Sequence, residues 1–242
     1  MIAVAIMVLP LICPAPAFGD VVSSKTQAKD YVILLHGLAR SSGSMSKLAS
    51  CLNQSGYQVV NFGYPSTQYP IDHLVNLLDK KIQSLTIPCL SRIHFVCHSL
   101  GGIIVRSYLK NHPFDQLGRV VMLSPPNHGS EVVDRLKNVF LFKWINGPSG
   151  GQLGTEKTSI PQTLGPVNFE LGVITGNKAA FYDQLFSYWI PGEDDGKVSV
   201  ESAKVEGMTD FLVMPYNHTF IMNKEPVIQQ IIYFLNHGQF RK

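Results

Sequence analysis

The stretch Phe95-Val96-Cys97-His98-Ser99-Leu100-Gly101-Gly102 constrains the fold more than any other part of the chain. An apolar, β-favouring run enters a serine, and a helical pattern leaves it and continues to Asn111. Passing from strand to helix without a loop requires a very sharp turn, which leaves the serine hydroxyl exposed at its tip. Small residues are needed two positions before and two after the serine, or neighbouring backbones collide. Gly101 meets that need on one side and Gly102 adds room at the helix start. On the other side Cys97 stands where the G-x-S-x-G form of this turn carries glycine.

The rest of the chain supplies the sheet that such a turn needs. Tyr31 to Leu35, Tyr57 to Phe62, Ile93 to Cys97, Arg119 to Ser124, Leu171 to Thr175 and Phe211 to Met214 read as short apolar strands. Between them, helical spacing is found over Ser44 to Gln54, Ile71 to Leu85, Leu100 to Asn111 and Val227 to His237. Near-continuous apolar strands separated by helices predict a mostly parallel sheet of about six strands, covered on both faces. Ligands of such sheets bind at the carboxyl ends of the strands. The segment 131–166 breaks the alternation and is read as an insertion capping the site, with an edge helix and loose tail as the alternative; its run Phe140 to Ile145 fits either lid or core.

A serine hydroxyl is a poor nucleophile at neutral pH and needs a base and an acidic orienter. After this type of turn the chain order is serine, acid, histidine. Glu193, Asp194 and Asp195 are the acid candidates, and His218 follows the last strand. Leu38, after His36-Gly37 at the end of the first strand, and Leu100, at the start of a helix, offer backbone N–H groups for an oxyanion. His36 precedes the serine and is read as a loop brace, and His98 as a structural or cleft-lining residue. His73, His94, His112, His128 and His237 lack paired ligand spacing, so no metal site is read.

On His36-Gly37-Leu38, His98-Ser99-Leu100-Gly101-Gly102, Asp195-Gly196-x-Val198 and His218, the chain from Tyr31 onward resembles the α/β-hydrolase fold serine hydrolases of the bacterial lipase/esterase type. The resemblance implies Ser99 as nucleophile, His218 as general base and Asp195, before its Gly-x-Val run, as the acid in preference to Asp194. It implies hydrolysis of carboxylic esters through an acyl-enzyme, with acyl ester or lipid substrates and no cofactor. Asn127-His128-Gly129-Ser130 resembles the loop leading into the lid of bacterial lipases. The same triad serves a thioesterase or an acyltransferase, and a catalytically inactive hydrolase fold that binds a hydrophobic ligand is the rival from outside enzymes.

The remaining features bear on compartment and partners. Residues Met1 to Leu11 are apolar, and Ala17 and Gly19 form a small-x-small pattern before Asp20. This predicts a signal peptide over 1–19, a hydrolase domain over 20–242, and export to a periplasmic or secreted location. No Lys or Arg precedes the apolar run, and Ile12 before Cys13 is too bulky for lipoprotein processing. Export permits disulfides. A Cys51–Cys89 pair with Cys97 free is the slightly favoured arrangement, and three unpaired thiols the alternative. The formal net charge is only +3 and the basic residues are dispersed, which leaves no footprint for nucleic acid. Transient contact with a lipid surface through Phe140 to Ile145 is a further expectation, and oligomeric state is not legible.

Overall fold

The computed structural model describes residues 29–242, so the leader read at 1–19, with Cys13, lies outside the described residues. In chain order the elements are β1 (Tyr31–Leu35), α1 (Ser46–Gln54), β2 (Gln58–Phe62), α2 (Ile71–Gln83), β3 (Ile93–His98), α3 (Leu100–Asn111), β4 (Leu117–Leu123), α4 (Glu131–Leu136), α5 (Phe140–Gly151), α6 (Ile160–Thr163), β5 (Leu171–Gly176), α7 (Gln184–Ser187), α8 (Val200–Ala203), β6 (Asp210–Met214) and α9 (Glu225–His237). The strands form one sheet in the order β2-β1-β3-β4-β5-β6. Every neighbouring pair is parallel.

The central strands are largely apolar because helices cover both faces. Along β1, Ile33 and Leu35 join Phe95, Leu74, Leu78 and Ile103 in one cluster, under α2 and α3. The alternate residues Val32 and Leu34 join Val96, Leu48, Ile231 and Phe234 in the other, under α1 and α9. Side chains that alternate across a strand thus meet an apolar layer either way. Each fully buried Leu or Ile contributes about 2 kcal/mol relative to an exposed one. Pro226 in the first turn of α9 presets the helical φ, and Gly238, at φ 75°, ends that helix in the left-handed region.

The order of the strands creates the site. From β1 the chain turns outward to β2 and then crosses back to β3 on the other side. A crevice opens at the carboxyl ends where that reversal occurs. The register pairs Leu35 with Cys97. Their continuations, His36-Gly37 and His98-Ser99, are therefore neighbours at the crevice.

One expectation needs correction, and one open choice is decided. Cys51, Cys89 and Cys97 are all free thiols. Cys51 packs on the α1–α9 face, while Cys89 is exposed in the loop after α2, which covers the opposite face, so the sheet stands between them. The run Val139–Ile145 is not core: Phe140 is 81% and Trp144 75% exposed, with only Phe142 turned inward to pack against buried residues.

Candidate active site

The turn after β3 has the geometry its residues demand. Ser99 adopts φ 52° and ψ −119°, a conformation L-residues avoid and that persists only where the surroundings impose it. Its backbone N–H donates to the Leu123 carbonyl at 2.9 Å, which pins the turn to β4. A Cβ on Gly101 would lie 2.7 Å from the Leu35 carbonyl oxygen and 2.9 Å from that of His36, so no side chain fits there. Cys97 is tolerated at the first small position because its side chain enters the α2–α3 core, where burial holds the thiol well above its usual pKa.

Ser99, His218 and Asp195 form one hydrogen-bonded line. Ser99 Oγ is 3.0 Å from His218 Nε2, and His218 Nδ1 is 2.9 Å from Asp195 Oδ2. A carboxylate only accepts, so Nδ1 carries the proton and Nε2 is left to accept from the serine hydroxyl. The other carboxylate oxygen, Oδ1, accepts from the backbone N–H groups of Val198 at 2.9 Å and Lys197 at 3.1 Å. The backbones are also joined, with the His218 N–H donating to the Asp195 carbonyl at 3.0 Å. Asp194 points elsewhere, accepting from Ser187 Oγ at 2.6 Å and the Gly196 N–H at 2.7 Å.

Leu38 lines the same cavity as Ser99. Among the described residues, neither the Leu38 nor the Leu100 N–H has a protein acceptor. Gly37 is required beside them, since a Cβ there would lie 2.7 Å from His98 Nδ1. His36 is buried and stacked on Tyr64, with Nδ1 donating to the Gly37 carbonyl at 2.9 Å and Nε2 accepting from the Tyr64 N–H at 3.3 Å. It braces the loop and does not reach the serine's line of partners.

His98 carries more than its sequence context revealed. Its Nε2 donates to the His218 carbonyl at 2.9 Å, while Nδ1 is buried without a partner. Burial, and next the neighbouring His218, hold His98 well below its ordinary pKa, so the ring is neutral.

The cavity above Ser99 has a volume of about 580 Å³. One wall, from α4, α5 and the loop after it, presents Val132, Val133, Leu136, Phe142 and Leu153. The other carries Arg40, Tyr182, Phe186 and Lys197. Lys197 Nζ is 3.1 Å from Asp183, which is buried, and stands 5.4 Å from the centre of the Phe186 ring. The segment 181–188 was not singled out in the sequence. Its signal was an aromatic cluster, Phe181-Tyr182 to Tyr188-Trp189, outside any strand.

Residues 31–163 match the family model described as palmitoyl protein thioesterase. That span includes Ser99 and stops before Asp195 and His218. Lysosomal thioesterase PPT2-B of Xenopus laevis is 31% identical over 40% of this chain and 36% of its own length, so the match spans about a third of that relative. Among solved structures, the mature form of Bacillus licheniformis lipase BlEst2 is similar with a TM-score of 0.63 at 20% identity, over 92% of this chain and 95% of that one. Phospholipase PlaB from Legionella pneumophila is similar with a TM-score of 0.70 at 22% identity, over 87% of this chain and 60% of that one. At such identities the likeness to these structures is one of fold.

Proposed function

The chain belongs to the palmitoyl protein thioesterase family and has the α/β-hydrolase fold, and from that premise we propose that it hydrolyses acyl esters and thioesters through a serine acyl-enzyme. The observation that carries this reading is the line from Ser99 Oγ through His218 to Asp195, at 3.0 and 2.9 Å, at the floor of a half-apolar cavity. Ser99 Oγ attacks the acyl carbonyl while His218 Nε2 takes its proton, and Asp195 steadies the resulting imidazolium. The Leu38 and Leu100 N–H groups hold the developing oxyanion, a contribution of about 3 kcal/mol per donor. The leaving alcohol or thiol receives the proton from His218. Water then repeats the sequence on the acyl-enzyme and releases the carboxylic acid. The acyl chain lies along Val132, Val133 and Phe142, and the leaving group faces the Arg40 side.

Thioesters stand beside oxygen esters because the matched family is a thioesterase family and both share the acyl carbonyl. The deciding experiment is a chain-length series of p-nitrophenyl esters and matched acyl thioesters, with Ser99→Ala as control. Expected are loss of at least about 10⁴-fold in kcat with Ser99→Ala, and a kcat/KM that rises by up to about fourfold per methylene. Turnover unchanged in Ser99→Ala sinks the mechanism, and no labelling of the parent by a fluorophosphonate favours the inactive binding fold. Export belongs to the same proposal, supported by the apolar run from Met1 and by Ala17 and Gly19. N-terminal sequencing of the mature protein is expected to begin at Asp20.

A further inference from the structure

We propose that the rim of this cavity is a docking face for an anionic lipid bilayer, built from two segments that are far apart in the chain. Twelve large apolar side chains are exposed among the described residues, and ten lie in 139–145, in 181–188 or at Phe220. Such clustering is unusual for surface apolar groups, which are normally scattered singly. Both segments also form walls of the cavity: Phe142 and Asn146 turn inward from α5, and Tyr182 and Phe186 turn inward opposite them. Phe220 lines the mouth as well. The exposed set is therefore the outer face of the cavity's own walls.

The pattern along α5 explains why this face has no partner among the described residues. Phe142 and Asn146, four apart, share the inward side, while Phe140, Trp144, Leu141 and Ile145 pair at the same spacing outward. A turn of helix that is apolar nearly all round is stable at a surface only if something covers its second face.

Charge identifies the cover. From 135 to 155 the chain holds Arg135, Lys137 and Lys143 and no Asp or Glu. Lys137 is paired with Glu156, while Arg135 and Lys143 are exposed and have no ion pair among the described residues. Near the second segment Lys178 is exposed, the exposed Glu193 accepts a hydrogen bond from Asn177 beside it, and the carboxylate of Asp183 is buried against Lys197. Apolar and aromatic groups flanked by the exposed Arg135 and Lys143, with Arg40 6.0 Å from the centre of the Phe220 ring, match a bilayer with anionic headgroups. Trp144, Tyr182 and Tyr188 are the amphipathic rings that settle at headgroup depth. A second copy seated over both segments would seal the mouth, whereas a bilayer supplies acyl chains through it. The inference rests on the acyl-hydrolase reading for what enters the mouth.

Vesicle flotation of the Ser99→Ala protein tests the docking face apart from catalysis. The vesicles are phosphatidylcholine alone, or phosphatidylcholine mixed with phosphatidylglycerol. Phe140→Ser with Trp144→Ser, and separately Leu185→Ser with Tyr188→Ser, are each expected to lower partition into the mixed vesicles at least about tenfold. Arg135→Glu with Lys143→Glu is expected to remove the preference for the mixed vesicles. In the Ser99 background all these variants keep the parent's turnover of a short soluble ester. Equal partition of parent and apolar variants, or equal partition of the parent into both vesicle types, overturns the proposal. So does a dimer that the same substitutions disperse in the absence of lipid. A parent that floats with mixed vesicles yet cleaves neither ester nor thioester supports the docking face and removes the acyl-hydrolase reading.

Discussion

At the floor of the cavity Ser99, Asp195 and His218 are 7%, 0% and 5% exposed, and each is tied to a strand end or a backbone N–H. At its rim Phe140 and Trp144 on α5 and Phe181 after β5 are 81%, 75% and 88% exposed, and neighbours such as Phe142 and Tyr182 line the cavity. Both regions are rich in apolar residues. On the floor, those residues complete the sheet and fix the polar groups above it. On the rim they are left over from folding. Folding free energy and surface behaviour are thus carried by different residues, and substitutions can separate them.

The largest effect that tests this division is at the acid. Asp195→Asn is expected to lower kcat by about 10⁴-fold, since an amide no longer enforces the Nδ1–H form of His218. Asp194→Asn, whose carboxylate serves Ser187 and Gly196, is expected to stay within about tenfold. Equal losses in steady-state assays of the two would break the assignment of the floor. The next contrast is in stability. Phe95→Ala empties a fully buried site between β3 and α3 and is expected to cost about 3–5 kcal/mol by urea unfolding. Trp144→Ala on the rim is expected to change stability by no more than about 0.5 kcal/mol. A large loss at Trp144 would mean that the rim is part of the fold after all.

The smallest effect is with pH. Burial lowers the pKa of His36, His94 and His98, all on β3 or at the end of β1. In the unfolded chain these rings take up protons below about pH 6.5, and in the folded chain they resist. The unfolded state then binds more protons, so stability falls as pH drops through that value toward the depressed folded values. Chemical denaturation at a series of pH values is expected to show the decline. Stability that is flat or rising on acidification would contradict the neutral, buried state of these rings.

The division also explains what could be read in advance. The strands were legible because a sheet covered on both faces leaves continuous apolar runs, as along Tyr31–Leu35 and Phe95-Val96-Cys97. The serine turn was legible because its steric demands are local, and Gly101 answers them within the same stretch. Order along the chain named Asp195 and His218, and His218 stands within hydrogen-bond reach of both Asp195 and Ser99. Other features depend on partners far away in sequence. Whether Val139–Ile145 is core or surface turns on what packs against it, and periodicity is silent on that. The free Cys51 and Cys89 follow from a sheet lying between two helices. The hydrogen bond from His98 to the His218 carbonyl spans 120 positions and left no local trace.

That hydrogen bond has a mechanical consequence. His98 is the residue before Ser99, so the end of β3 holds the serine and, through one imidazole, grips the backbone of His218. When thermal motion displaces that strand end, hydroxyl and imidazole are carried along together. Their separation is a difference between two coordinates that share the same displacement, and it is buffered against the breathing of the sheet beneath.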